Sequence, residues 1–332
     1  MTQQEDANPH DTIKMKIEAK KKPLHSLDTL EVTSDYFKTK SHETLYHSTL
    51  RKDSTIATLV QLIDVSSTEW NKRYWKAYHC KNVLLQEGNK LHGSLCRKRW
   101  CQNCNRIKTA EMIKGYSEPL KELQQENELY FVTLTTKTVK AGKLKDEITK
   151  RYKAFTRIKD NLRKNYGIKL VGARKLEITY NETTNEYHPH FHFIQQGKHE
   201  AEMLQKLWLE QFPSASIKAQ DIRLIDANNS DNLVEIFKYA TKQAVKDTTT
   251  AKALHNIYHA IDGKRTFQPY GKLRKVKEPT ETKEDIVNAD FIEPNQEIWI
   301  YDLIENDYLN ARNVKLIGTK EIDRKIMLEV FN

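Results

Sequence analysis

The stretch YHPHFHFI, residues 187–194, places His188, His190 and His192 at every second position. Successive side chains of a strand point to opposite faces. This spacing therefore lines three imidazoles along one face of a sheet, with Pro189 and Phe191 turned the other way. Three of the chain's 12 His fall within five residues. A half-exposed strand that happens to be His-rich would be an ordinary surface feature. Clustering this tight points instead to a metal seat mounted on a strand.

KLVGARKLEITY, residues 169–180, reads as the strand before it, and NETTNE, 181–186, as the polar turn between them. Pairing Tyr180 with Tyr187 across that turn sets Glu177 opposite His190. Residues directly opposite share a face, with Cβ atoms ~4.5–5.5 Å apart. Glu177, His190 and His192 then converge on one ion. Two imidazoles and a carboxylate that leave positions open suit a divalent metal, Mg or Mn, acting as a Lewis acid. A slip of one residue would send Glu177 to the other face. His188 shares the face, but Pro189 is expected to bend or end the pairing there, which leaves His188 a supporting neighbour of the ligands.

The elements around this hairpin set the fold class. LYFVTLTTKTV, from residue 129, reads as a strand. A helix over about 143–166 follows, with Tyr152, Phe155, Ile158, Leu162 and Tyr166 at helical spacing and Gly167 to end it. Its other faces carry Arg151, Lys153, Arg157, Lys159, Arg163 and Lys164. A helix at about 200–211, a short strand within 216–226, and a helix at 231–246 capped by Ser230 or Asp231 come next. EIWIYDLI in the tail reads as a strand or a buried helical turn. The order predicts an α+β fold: a central antiparallel sheet of about five strands with flanking helices. In the helix at 231–246, Leu233, Phe237, Ala240 and Ala244 form one stripe. Glu235, Tyr239 and Lys242 form another, with Lys238 and Lys242 flanking the tyrosine.

Charge divides the chain. Residues 51–275 hold 41 Lys+Arg against 24 Asp+Glu, between a nearly neutral start and a tail, 276–332, with 7 against 13. A basic block of that size predicts a polyanionic partner, nucleic acid first. No stretch approaches the ~20 apolar residues of a membrane span. The first residues lack the apolar core of a secretion signal, so the expected location is cytoplasmic. Cys80, Cys96, Cys101 and Cys104 are spaced C-x15-C-x4-C-x2-C, which predicts a structural zinc site of four thiolates; His79 or His92 could stand in for one. Arg97, Arg99, Trp100, Arg106 and Lys108 thread this segment and, with Arg265 further on, are the candidate DNA contacts. The expected division is a loosely packed segment 1–50, a Cys-rich zinc and DNA-binding segment 51–125, a catalytic domain 126–275, and an acidic segment 276–332 of unassigned role.

FVTLT (131–135), HPHFH (188–192) and EIFKYATK (235–242), in this order, resemble the motifs of HUH endonucleases. More closely, they look like those of the plasmid rolling-circle replication initiators (Rep proteins) of Gram-positive bacteria. The matching branch carries Glu four residues before its Tyr, as Glu235 and Tyr239 do here, and the Cys-rich segment and GKRTFQPYGKLRK (263–275) also look like it. The resemblance spans about 80–275. It implies a metal-dependent nickase and strand transferase that opens one strand at a double-stranded origin with a locally single-stranded hairpin. Tyr239 would be the nucleophile, and at termination Glu235 would activate water or assist a second strand transfer. Lys238 or Lys242 would favour the phenolate. Host helicase and DNA polymerase are implied as partners. A non-catalytic origin-binding regulator, or a related relaxase or transposase, are the alternatives.

Overall fold

The computed structural model describes residues 36–226, Phe237, 247–276 and 283–330. The chain divides into two compact units, Met1–Arg106 with Glu281–Asn332, and Ile107–Thr280.

In the first unit, helices α1 (Lys40–Asp64) and α2 (Thr68–Tyr78) precede the hairpin β1 (Val83–Gly88) and β2 (Lys90–Ser94). From the tail come β8 (Glu284–Asn288), β9 (Asn295–Asp302), β10 (Asp307–Leu309) and helix α7 (Thr319–Val330). These strands build one antiparallel sheet in the order β10-β9-β1-β2-β8. Its inner face, Leu84, Leu91 and Trp299, packs on Leu45, Tyr46 and Leu50 of α1 and on Ile322 and Ile326 of α7. The acidic tail thus supplies three of the five strands of this sheet. Within the segment expected to be loosely packed, 1–50, residues 40–50 are already helical. Thr39 caps α1 by accepting the His42 amide, and the helix buries its apolar stripe at once. Residues 1–35 lie outside the described part of the chain.

The second unit takes up helix α3 (Gln102–Glu126), which begins just before the division, then β3 (Leu129–Leu134), α4 (Ala141–Asn165), β4 (Gly172–Asn181) and β5 (Glu186–Gln196). Helix α5 (Lys198–Gln211), β6 (Asp221–Leu224), α6 (Thr248–Ala260) and β7 (Phe267–Tyr270) complete it. Its sheet is antiparallel, in the order β6-β3-β5-β4-β7, with the histidine strand at the centre. One face carries Phe191 and Phe193, which meet Tyr152 and Phe155 of α4 at 5.4 and 5.3 Å. The other face carries the histidines. Beside them Phe131, Ala173 and Ile194 pack on Tyr116, Leu120 and Leu123 of α3. Both faces are covered, which is why β4 reads as a nearly unbroken buried run where a half-exposed strand would alternate. Gly172 opens β4 at φ 155°, where any Cβ would run into the Ile194 carbonyl oxygen.

The register is the one the turn predicts: Tyr180 pairs with Tyr187 and Glu177 with His190. One expectation is corrected. The ladder runs straight through Pro189, which pairs with Ile178, and continues to Asn181–Glu186. Amide directions alternate along a strand, and Tyr187 exchanges both backbone bonds with Val139 on the β3 side. The missing amide of Pro189 therefore points to that side too, between the end of the β3 pairing at Leu134–Phe191 and the bridge at Val139. No ladder bond to β4 is lost there.

Candidate metal centres

In the second unit the β4–β5 register brings Glu177, His190 and His192 together, their ligand atoms all within 4.8 Å of one another. Glu177 Oε2 lies 3.7 Å from His192 Nε2. Ligands bound at ~2.1 Å to one ion sit roughly 3–4 Å apart, so the trio has the dimensions of a metal seat. The nitrogens are sorted by their other partners. His190 Nδ1 lies 2.9 Å from the His188 carbonyl oxygen. A carbonyl can only accept, so Nδ1 carries the proton and Nε2 is left with a bare lone pair. His192 Nδ1 is 3.1 Å from Thr133 Oγ1, which leaves its Nε2 turned to Glu177. Phe131 lies against the His192 ring at 5.2 Å, and the two ligand rings stand perpendicular at 4.8 Å. His188 stacks beside His190 at 5.1 Å and holds it through its carbonyl. Burial, and then the neighbouring His190, keep the His188 imidazole below its usual pKa and so neutral.

Two contributors were missed from the sequence. Lys175 is buried, and its Nζ donates to Glu177 Oε2 at 3.2 Å. Thr133 orients His192. Both sit opposite His192 in the ladders, Thr133 from β3 and Lys175 from β4. Period-two counting from Glu177 reaches Lys175, and that was the available signal.

In the first unit the sulfurs of Cys80, Cys96, Cys101 and Cys104 form the second group, again within 4.8 Å. Cys104 Sγ lies 3.6 Å from both Cys80 Sγ and Cys96 Sγ. A tetrahedron of ~2.3 Å zinc–sulfur bonds has edges of about 3.8 Å, whereas a disulfide is ~2.05 Å long. The spacing fits zinc and excludes a bond. Three backbone amides point at sulfur: Cys96 to Cys80, Arg97 to Cys104 and Lys98 to Cys96, at 3.4, 3.3 and 3.5 Å. The residues after Cys80 and Cys96, Lys81 and Arg97, take positive φ, 53° and 54°, which curls each loop around its cysteine. Four thiols this close cannot all ionise unaided. The neighbouring sulfurs, Cys104 first, push the Cys101 thiol far up, while hydrogen bonds from Cys101 and Cys104 hold Cys80 down. Beneath the loop, the Lys52 ammonium is buried and donates to the Tyr78 and Cys80 carbonyls and to Asn82 Oδ1, at 3.2, 2.7 and 2.6 Å.

Neither histidine is needed as a substitute ligand. His92 pairs with Glu284 at 3.2 Å, and His79 lies by Asn82. Of the candidate DNA contacts, Arg106, Lys108 and Arg265 are exposed, and Arg97 and Arg99 are half-buried. Trp100 is corrected. It is 6% exposed and wedged against Trp70 and Tyr74 at 6.0 and 4.9 Å, so it fills the core of its unit and offers no face to a base. Glu235, Lys238, Tyr239 and Lys242 lie outside the described residues. Phe237 is described: helical, buried, stacked on Tyr116 at 5.8 Å and packed on Phe267 at 5.4 Å.

Comparison with known proteins places this geometry. Residues 89–311 match the family model described as Replication protein. The "Protein rep" of Staphylococcus aureus is 31% identical over 173 residues, 48% of this chain and 74% of that protein. The "Protein rep" of Streptococcus pneumoniae serotype 2 is 23% identical over 238 residues, 66% of this chain and 68% of that protein. No solved structure matches. The matched region takes in the whole histidine sheet and three of the four cysteines, and the chain belongs to the Replication protein family.

Proposed function

We propose that the chain is a plasmid rolling-circle replication initiator that nicks one strand of the double-stranded origin. The observation that carries this reading is the trio on the central hairpin, Glu177, His190 and His192, with the His190 Nδ1 proton fixed by a carbonyl and its Nε2 bare. A divalent cation held there, Mg or Mn, supplies Lewis acidity at a phosphate oxygen. The chain's own groups do the rest. Tyr239 Oη attacks the scissile phosphorus and loses its proton to solvent, and the departing 3′-oxygen takes one up from solvent. The new O–P bond forms as the P–O3′ bond breaks, leaving a 5′-phosphotyrosine and a 3′-OH able to prime a polymerase. The ester conserves the phosphodiester linkage, so a later transfer can close the circle; in this reading Glu235 takes a proton at termination, from the transferring hydroxyl or from water. Lys238 or Lys242 would favour the phenolate, whose reference pKa is near ~10.

Support for the nucleophile comes from Phe237. It packs in the cluster of Phe131, Ala173 and Ile194, on the sheet face that bears the histidines. Phe267, which it touches, is the ladder partner of Lys175. Tyr239 follows Phe237 by two positions in the sequence, which is the support this reading draws on. The cysteine site, in this reading, holds one structural zinc and presents the exposed Arg106 beside it. Host helicase and polymerase act on the nicked product.

The test uses a supercoiled plasmid carrying the cognate origin, with and without manganese or magnesium. The wild-type protein gives an open circle whose 5′ end is blocked by protein. Tyr239→Phe binds the origin but yields neither open circle nor adduct. A covalent adduct formed by Tyr239→Phe removes the nucleophile assignment. Origin binding by the wild type with no metal-dependent nick replaces the enzyme by a binding regulator.

A further inference from the structure

We infer that the outward face of α4 is a second DNA-contact surface, one that grips the backbone of duplex DNA while the trio on the opposite sheet face works on the scissile strand. The inference rests on the DNA-processing reading above. Helix α4 buries Leu144, Ile148, Phe155, Ile158 and Leu162 against the sheet. Lys143, Lys150, Arg157 and Lys164 recur every seven residues on the side away from those positions, with Lys153 among them, and all five are exposed. The line from Lys143 to Lys164 is about 31 Å long at ~1.5 Å per residue, close to one turn of duplex. Lys150 has Glu147 at 4.0 Å. Among the described residues, no carboxylate lies within ion-pair distance of Lys143, Lys153, Arg157 or Lys164. A solvated charged helix ordinarily alternates signs; here Asp146 and Asp160 are the only outward acids in this row, and Asp160 is 3.4 Å from Arg163.

The loop before β7 is laced to the same helix. Tyr152 Oη donates to the Arg265 carbonyl at 2.7 Å and Lys264 Nζ to Thr149 Oγ1 at 3.0 Å. This holds the exposed Arg265 alongside α4. The outward positions 143, 146, 150, 153, 157, 160 and 164 carry no aromatic ring on which an unpaired base could stack, which favours duplex over single strand. They carry no apolar residue either, and the apolar face is already spent on the sheet, which disfavours a lipid surface. A helix ~10–12 Å across stands between the row and the sheet, so the phosphates it meets are not the one at the trio. The surface would anchor DNA flanking the nick.

The experiment measures binding of the full chain to a 30-base-pair duplex and to a single-stranded oligonucleotide across a salt series, for wild type and for the triple variant Lys150→Gln, Arg157→Gln, Lys164→Gln. Each lost phosphate contact lowers the log–log salt slope by about 0.9. The variant should bind duplex with a slope smaller by about 2 to 3. It should bind single strand as the wild type does, and still cleave a short unpaired substrate. An unchanged duplex slope overturns the surface. A wild type whose DNA binding has no salt dependence overturns the DNA reading as a whole, which separates the two failures.

Discussion

The four-sulfur centre and the glutamate–histidine centre place ligand atoms within the same 4.8 Å, yet they are supported in different ways. The sulfurs are cradled by amides of their own loops and by a buried lysine that touches loop carbonyls and no sulfur. Four sulfurs, three of them buried, complete a tetrahedral set, as a structural ion requires. The trio is set by strand register, and its orienting partners are a carbonyl and a threonine on neighbouring positions of the sheet. Among the described residues three ligands come together there, and His192 is partly exposed. In the proposed function the first site holds a structural ion and the second shares one with the substrate.

The largest effects should therefore fall on different observables. Cys104→Ser removes one of the four sulfurs. Apparent zinc binding in such sites is worth about 10–16 kcal/mol and is folding energy. The variant should lose its zinc and the cooperative unfolding of the first unit. His192→Ala should leave the melting curve within a degree or two and lower nicking by at least about 10³-fold, since the ion's charge stabilisation goes with it. Metal analysis, a circular-dichroism melt and a nicking assay on both variants decide it. A Cys104→Ser protein that keeps one zinc and melts like wild type, or a His192→Ala protein that unfolds as readily as Cys104→Ser, breaks the contrast.

A smaller effect sharpens it. Lys175 places a buried ammonium 3.2 Å from the carboxylate that would face the ion. At an effective dielectric of ~20, unit charges 4 Å apart interact by about 4 kcal/mol, so the lysine opposes a dication while holding Glu177 in place. Lys175→Met should tighten manganese binding by roughly tenfold, measured by titration calorimetry. Supporting residues that merely orient a ligand lose affinity when removed, by about 10–100-fold, so the sign of the change tells the two roles apart.

The legible part of this molecule was local. The Tyr180–Tyr187 register followed from a polar turn between two alternating strands, and with it the Glu177–His190 pairing. Lys175 was not read, because a lysine beside Arg174 looks solvated until both faces of β4 prove to be covered. Trp100 was misread for the converse reason. Its arginine neighbours suggested a DNA contact, but Trp70 and Tyr74, some 30 residues earlier in the chain, enclose it. The first sheet joins β1 to β9, Leu84 to Trp299, across more than 200 residues. No periodicity within either segment announces such a closure.

The last difference concerns acid. His42, in the first unit, is buried with both nitrogens engaged. Nε2 meets the Ile317 carbonyl at 2.8 Å and Nδ1 accepts the Lys38 amide at 3.2 Å, while Phe291 lies on the ring at 4.7 Å. A second proton would have to enter at Nδ1, against an amide already pointing there. Burial, the leading cause, holds its pKa below the ordinary 6.5. The folded state then binds fewer protons than the unfolded chain just below pH 6.5, so stability present above that pH is lost as pH falls through the lowered pKa. Each unit of separation is worth about 1.4 kcal/mol. His42→Gln keeps a donor for Ile317 but cannot titrate. Zinc-loaded wild type should lose more stability than this variant between pH 7 and 5, read from urea unfolding of the first unit. Parallel pH profiles would show that His42 does not set the acid sensitivity of that unit.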